Sequence, residues 1–366
     1  MHGCPPGARH IESSAAARED TTCSASGSTP TRPAWRSAPS TSWAANWPAR
    51  SVANDPAGHA ALLRWAVQLG SERRFGIEGA GSFGFALAQA LLAARETVVD
   101  VPPHFTARER RTLRQRGKSD PGDALAIARL VAREPQLRTV RAPGSLADLK
   151  LLVAARDQLV AEQTRLINQL HADLLVLSPG YAQRLPNLVA NRHRQRLAAW
   201  LAAQPGVRAE LARGRLARLD AVSDQARTLG QRIGGLVAAL GSRLPGLSGL
   251  GLLTAAKLLA ESGTIGDYRD AAAFAAANGT APLPASSGQV RRHRLNRGGN
   301  RQLNRALHLM ALVQARCDPR ARSYLARKRA EGKSWQEALR SLKRHLSDVV
   351  YRQVLTDAQL ALPEGT

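Results

Sequence analysis

Two carboxylates three residues apart, Asp120 and Asp123, stand in the run Gly117-Lys118-Ser119-Asp120-Pro121-Gly122-Asp123-Ala124. The chemistry open to them is helix capping or cation binding. Asp120 before Pro121 makes a good N-cap with proline at the first helical position, and Asp123 falls where an acid favours the helix dipole. A helix start also projects both side chains toward one side. A third carboxylate, Glu78, ends the strand-like stretch Arg74-Phe75-Gly76-Ile77-Glu78 and could complete an oxygen-ligand set for Mg2+. Two such ions can activate and stabilise oxygens in phosphoryl transfer. Glu78, Asp120 and Asp123 are therefore candidate catalytic and metal-binding residues, with capping as the competing reading.

A second group lies far downstream. Ser286 and Ser287 are followed by Arg291, Arg292 and Arg294, then by Asn296-Arg297-Gly298-Gly299-Asn300-Arg301. A serine needs activation before it attacks phosphorus, and guanidinium groups suit the charge that develops on phosphate oxygens. A Ser-Gly turn leading into a phosphate-binding strand explains the same residues without any nucleophile, and both readings stay open. No acidic residue lies between Asp270 and Asp318. Lys118, Arg291, Arg292, Arg294, Arg297 and Arg301 are the candidate nucleic-acid contacts.

A third motif points elsewhere. Gly79-Ala80-Gly81-Ser82-Phe83-Gly84 matches G-x-G-x-x-G, follows a strand, opens a helix and has Asp100 downstream, which is the pattern of a nicotinamide-dependent oxidoreductase. Against it, no further β-α repeats follow, and Glu78 stands where it would face the pyrophosphate.

The elements that must position these residues show in the periodicity. Ala60 to Gly70 reads as an amphipathic helix with a glycine stop; strands at 74–78 and 97–101 flank a helix reaching about Ala94, a β-α-β unit that implies a parallel sheet. Residues 102–117 read as a basic connector. Apolar residues at three- and four-residue steps over 146–177 and 207–240 mark two long amphipathic helices able to form a coiled coil, joined by a Pro/Gly/Arg-rich link at 178–206. Leu244-Pro245-Gly246-Leu247-Ser248-Gly249-Leu250-Gly251 reads as a tight turn between two helices, either a geometry suited to a DNA phosphate or a helix pair that binds nothing. A helix to about Ala315 and packing helices over 334–360 close the chain.

Composition narrows the partner. Against 28 Asp+Glu stand 52 Lys+Arg, nearly all arginine, a net charge of +24 that fits a polyanion such as nucleic acid. Cys4, Cys23 and Cys317 are too scattered for a disulfide framework or zinc site, no apolar run is long enough for a bilayer, and no secretory leader is recognised, so a cytoplasmic protein without a membrane is expected. Residues 1–60 contain no Leu, Phe or Tyr and three tryptophans, too little apolar surface to offset chain entropy.

Taken together, the chain resembles the DEDD-type transposases of bacterial insertion sequences, the IS110 group. The resemblance runs over 56–355 and rests on Gly76-Ile77-Glu78-Gly79-Ala80-Gly81-Ser82-Phe83-Gly84, the 117–124 run, Leu244-Pro245-Gly246-Leu247, Ser287-Gly288 with its arginines, and Arg297-Gly298-Gly299-Asn300. It implies an α/β RuvC/RNase H-like domain lacking its first strand (56–145), coiled-coil helices (146–240) and a mostly α C-terminal domain (241–366). It also implies Glu78, Asp120 and Asp123 as three of four Mg2+-binding acids and Ser287 as the nucleophile. Its partners would be DNA at element ends and target, a guide RNA, and further copies of itself in a dimer or tetramer. The first family Asp, in a Val-Asp-Thr-His-Lys context, has no counterpart in 1–55. Codons for Gly27-Ser28-Thr29-Pro30-Thr31-Arg32 can be chosen so that the frame displaced by two bases reads Val-Asp-Thr-His-Lys. The segment 1–55 is therefore expected to be disordered or translated out of frame, and catalysis impaired.

Overall fold

The computed structural model describes residues 10, 11, 14–17, 50–71, 73–112, 120–284, 293, 294, 296 and 298–360; for 10, 11, 14–17, 112, 120, 121 and 293 this holds of the backbone alone. The chain forms two units, Met1–Ala142 and Pro143–Thr366.

In the first unit, β1 (His10–Ile11) pairs antiparallel with β3 (Val52–Ala53), and β2 (Ser14–Ala17) pairs antiparallel with β4 (Arg73–Glu78). Helix α1 (Pro56–Val67) begins at Asp55, whose side chain accepts from Gly58 N at 2.7 Å. Strand β4 leads through α2 (Phe85–Ala93) to β5 (Thr97–Val101), which pairs with it in parallel, Gly76 opposite Val99 and Glu78 opposite Val101. Alternation along the strands divides the core. Phe75, Ile77 and Val98 pack with Leu62, Leu87 and Leu91 on one face; Val99 and Val101 pack with Ile127, Leu130 and Val131 on the other.

One expectation changes here. Residues 102–117 are not a plain connector, because α3 (Pro103–Thr112) forms there and packs on α4 (Asp120–Arg133). Its inward residues include Thr106 and Glu109, polar side chains that hydrophobic periodicity cannot register. Within 1–55, expected to be disordered, the strands at 10–11, 14–17 and 52–53 pair as above; most of 1–49 lies outside the described residues. Ser and Ala can occupy an edge strand because backbone groups alone make the ladder.

In the second unit, α5 (Ser145–Leu177) and α7 (Val207–Ala239) lie antiparallel along each other: Gln163 bonds Ser223 and Arg218 bonds Glu162, while Asp173 meets Arg208 and Arg215. Each helix is about 50 Å long at 1.5 Å per residue. The supposed link at 178–206 contains α6 (Asn191–Ala202), whose Leu197 and Leu201 close a core with Leu170, Leu174, Leu216 and Leu219. At the other end, Leu149, Val153, Ile233 and Val237 join the core of α8 (Leu252–Ser262), α9 (Ala271–Ala277), α10 (Arg301–Cys317), α11 (Pro319–Ala330) and α12 (Trp335–Leu360). The long helices thus pair with one another within the chain. A short hairpin, β6 (Leu283–Pro284) and β7 (His293–Arg294), stands between α9 and α10. Among the described residues no helix is long and apolar enough to cross a membrane.

Candidate active site

The acidic group of the first unit is positioned by α4, which lies across the sheet. A Cβ at Gly76 would come within 2.7 Å of Ile127 Cγ2 and closer still to Val131, so only glycine lets the helix approach. Arg74 donates to the carbonyls of Val131, Glu134 and Pro135 at 3.4, 3.2 and 3.0 Å. Helix α4 therefore runs antiparallel to β4: Arg74 meets its C-terminal end and Gly76 its middle. Two residues further along the strand, about 6.7 Å, comes Glu78; one helical turn before Ile127, about 6 Å, comes Asp123. Glu78 and Gly76 share the sheet face that α4 covers, and Asp123 shares a stripe with Ile127. The two carboxylates thus stand at the same level on the same side.

Glu78 is exposed at the strand end. Asp123 is mostly buried, its Oδ1 lies 2.8 Å from Arg110 Nη1 on α3, and that oxygen makes no hydrogen bond of good geometry. A buried acceptor in this condition is the kind of atom a cation satisfies, so the pair fits a divalent ion. Asp120 opens α4, but its side chain and Lys118 lie outside the described residues. Among the described residues no three His, Cys, Asp or Glu side chains gather as ligands. Sequence periodicity missed Arg110; its signal was only an arginine two turns into an undetected helix.

The glycine motif has a structural role. Gly79 has φ +72, a conformation that favours glycine, and a Cβ at Gly84 would overlap Ile77 Cγ2. Asp100 Oδ1 accepts from Ala80 N at 3.3 Å, so the acid that a dinucleotide reading needs for a ribose instead holds the turn. Nothing supports the oxidoreductase alternative.

A separate basic group lies in the second unit. Leu283 pairs with Arg294 and Pro284 with His293, and Arg294 is exposed. Ser286, Ser287, Arg291, Arg292 and Arg297 lie outside the described residues. The base of the hairpin is tightly built: a Cβ at Gly299 would come within 2.6 Å of Gly279 Cα and 2.9 Å of Ala277 O. Asn300 caps α10, its Oδ1 accepting from Gln302 N at 2.9 Å and Leu303 N at 3.2 Å, while its Nδ2 donates to Glu261 Oε2 at 2.8 Å. Arg301 follows, exposed, as the first residue of α10. The 244–251 turn is anchored by Gln314, which donates to Ser248 O at 2.7 Å.

A DEDD transposase model of the IS110 type matches residues 46–179, and a model of the transposase IS116/IS110/IS902 family matches 241–326. The first match covers the acidic group and the second covers the basic group. The chain belongs to the IS110 transposase family. Among relatives, it is 28% identical over 360 residues to the insertion element IS900 uncharacterized 42 kDa protein of Mycobacterium paratuberculosis, covering 82% of this chain and 88% of that one. It is 39% identical over 136 residues to the insertion element IS110 uncharacterized 43.6 kDa protein of Streptomyces coelicolor, covering 36% of this chain and 34% of that one. To the insertion element IS116 uncharacterized 44.8 kDa protein of Streptomyces clavuligerus it is 26% identical, over 85% of this chain and 89% of that one. This IS110-family transposase is therefore an insertion-sequence enzyme that cuts and joins DNA. Its DEDD domain points to use of a divalent metal.

Proposed function

We propose that this transposase breaks and rejoins DNA by attack of Ser287 on a phosphodiester, with Glu78, Asp120 and Asp123 as its Mg2+-holding acids. What supports the acidic part is that the rise of β4 and α4 from the Gly76 contact puts Glu78 and Asp123 at about one level, with a buried Asp123 oxygen that has Arg110 beside it and no hydrogen bond of good geometry. A divalent ion held by these acids supplies polarisation of phosphate oxygens. Ser287 forms a bond to phosphorus while the bond to the leaving sugar oxygen breaks and that oxygen takes up a proton. The resulting serine phosphodiester retains the bond energy, so a second hydroxyl can displace Ser287 without an outside energy source. Arg291, Arg292 and Arg294 offset charge on the phosphate oxygens; Lys118, Arg297 and Arg301 bind the nucleic-acid backbone.

In this reading residues 56–145 are a RuvC/RNase H-like domain, supported by the parallel β4–β5 pair with helices on both faces. The protein works in the cytoplasm as a dimer or tetramer with a guide RNA, a role its +24 charge suits. The fourth acid belongs to a strand encoded in another frame, so the chain as written holds Mg2+ weakly and joins DNA poorly; the family match beginning at residue 46 is compatible with this.

A recombination assay on a two-ended DNA substrate, with the reading frame restored, tests the serine. Ser287→Ala is expected to abolish strand joining while DNA binding persists; joining that survives this change removes Ser287 from the chemistry.

A further inference from the structure

Helices α10 and α12 face each other through two polar stripes. On α10 these are Arg301, Asn304 and His308; on α12 they are Arg340, Lys343 and Ser347, each set at three- and four-residue steps. Lys343 is 7% exposed, and its Nζ donates to Asn304 Oδ1 at 2.9 Å. Asn304 Nδ2 donates to Asn278 O at 2.9 Å, and Asn278 Nδ2 to Ser347 Oγ at 2.8 Å. This chain of bonds ties the seam to residues 278–280, the base of the β6–β7 hairpin.

Neither polar stripe carries an acid. An ammonium group carries three donors, and Lys343 has one protein acceptor among the described residues. Arg301 has no ion-pair partner among them; Arg340 approaches Glu337 at 3.8 Å, but that carboxylate already accepts from Ser334 N and Oγ at 2.9 and 2.8 Å. The hairpin cannot supply one either, since no acid occurs between Asp270 and Asp318. Burial, then the charges of Arg301 and Arg340, hold the Lys343 amino group below its usual range; burial and the Lys343 charge do the same to His308. The positive end of the α10 dipole lies at the same mouth. A buried amino group among like charges is pushed toward its neutral form, and an anion bound beside it favours the charged form again.

We propose that Arg301, Arg340 and Lys343 form a phosphate site, its mouth the two arginines and its floor the lysine, that binds one phosphodiester of the DNA substrate beside the β6–β7 hairpin. The site rests on DNA as the substrate and is independent of Ser287 acting as nucleophile. A phosphate oxygen accepts from the free Lys343 donors and from both guanidinium groups, and the same contact fixes the strand against the hairpin base.

The test uses the full chain, a duplex DNA of arbitrary sequence, a single-stranded RNA of equal length, and inorganic phosphate. Arg301→Gln with Arg340→Gln alters exposed side chains and is expected to lower the slope of log affinity against log salt for DNA by about 0.9, the loss of one phosphate contact. Inorganic phosphate at constant ionic strength should raise the melting temperature of the unaltered protein. That rise should vanish in the arginine double variant, and in Lys343→Met where this buried change folds. An unchanged DNA slope, a phosphate effect that persists in the arginine variant, or a slope change confined to RNA overturns the proposal. Ser287→Ala should keep the full slope; should joining survive that variant while the arginine variant still loses slope, the serine reading fails and the phosphate site stands.

Discussion

Arg110 on α3 lies 2.8 Å from Asp123 on α4, so the carboxylate that faces Glu78's level already has a cation beside it. If Asp123 holds a divalent ion as proposed, the guanidinium competes with it for the same oxygen. Arg110→Gln is expected to raise Mg2+ affinity by about three- to tenfold, through removal of one like charge within a few ångströms of the ion. Asp123→Asn should lower it by more than the roughly 10–100-fold typical of losing a residue that only orients a ligand. Titration calorimetry on the frame-restored protein reads both, and weaker binding in Arg110→Gln would show that the arginine orients Asp123 instead.

Gly76 sets the distance between β4 and α4. Gly76→Val places methyl groups where Ile127 and Val131 already lie, and overpacking of this kind destabilises by about 1–3 kcal/mol. Thermal melting should register the loss. Because α4 must shift, Mg2+ binding should weaken as well; a variant that melts lower with metal affinity intact would separate the packing from the site.

Asp173 is buried where α5 and α7 meet, held by Arg215 and, at 3.5 Å, by Arg208. Replacing both arginines with Met leaves a buried charge without a partner, a loss of about 3–5 kcal/mol. Adding Asp173→Leu should recover most of it, since an apolar trio of similar volume carries no desolvation penalty. Chemical denaturation of the three proteins measures this directly.

The caps of α9 and α11 make stability fall in acid. Asp270 is held below the usual carboxylate range by the Ala273 backbone N–H, then by Arg269; Asp318 by the Arg320 backbone N–H, then by Ser248. A depressed folded pKa stabilises above the unfolded value and is lost as pH drops through it toward the folded one. The part of the melting temperature that these caps contribute should therefore be flat from pH 7 to about 5 and decline below about 3.9. Asp318→Asn keeps an oxygen acceptor without the charge and should flatten part of that decline; an unaltered acid limb would mean that other groups set it.

The reading-frame proposal is checked on the nucleotide sequence and then in the assay. A frame displaced by two bases should encode an apolar strand with an aspartate around codons 26–32. Restoring it should raise strand joining by orders of magnitude; full activity of the chain as written contradicts the proposal.

The long helices were legible to within a residue or so, with expectations of 146–177 and 207–240 against Ser145–Leu177 and Val207–Ala239, because an apolar period sustained over many turns has few alternatives. Strand 97–101 was equally clear. Helices α3 and α6 were not, and for one reason: each buries polar side chains. Glu109 is satisfied by Arg133, and Arg194 by Asp220 and the carbonyl of Val189, partners that no local pattern announces.

Sequence alone supplied the candidates for chemistry in this transposase: three acids, a serine among arginines, and an excess of positive charge, each a matter of residue type and short spacing. It also determined the secondary structure wherever periodicity is strong. Only the tertiary structure decided which groups meet. Glu78 reaches the level of Asp123 because Gly76 admits α4 against β4, and Lys343 meets Asn304 because α10 and α12 pair their polar stripes. Both contacts join segments far apart in the chain, and their positions follow from how the cores close, which short-range spacing does not encode.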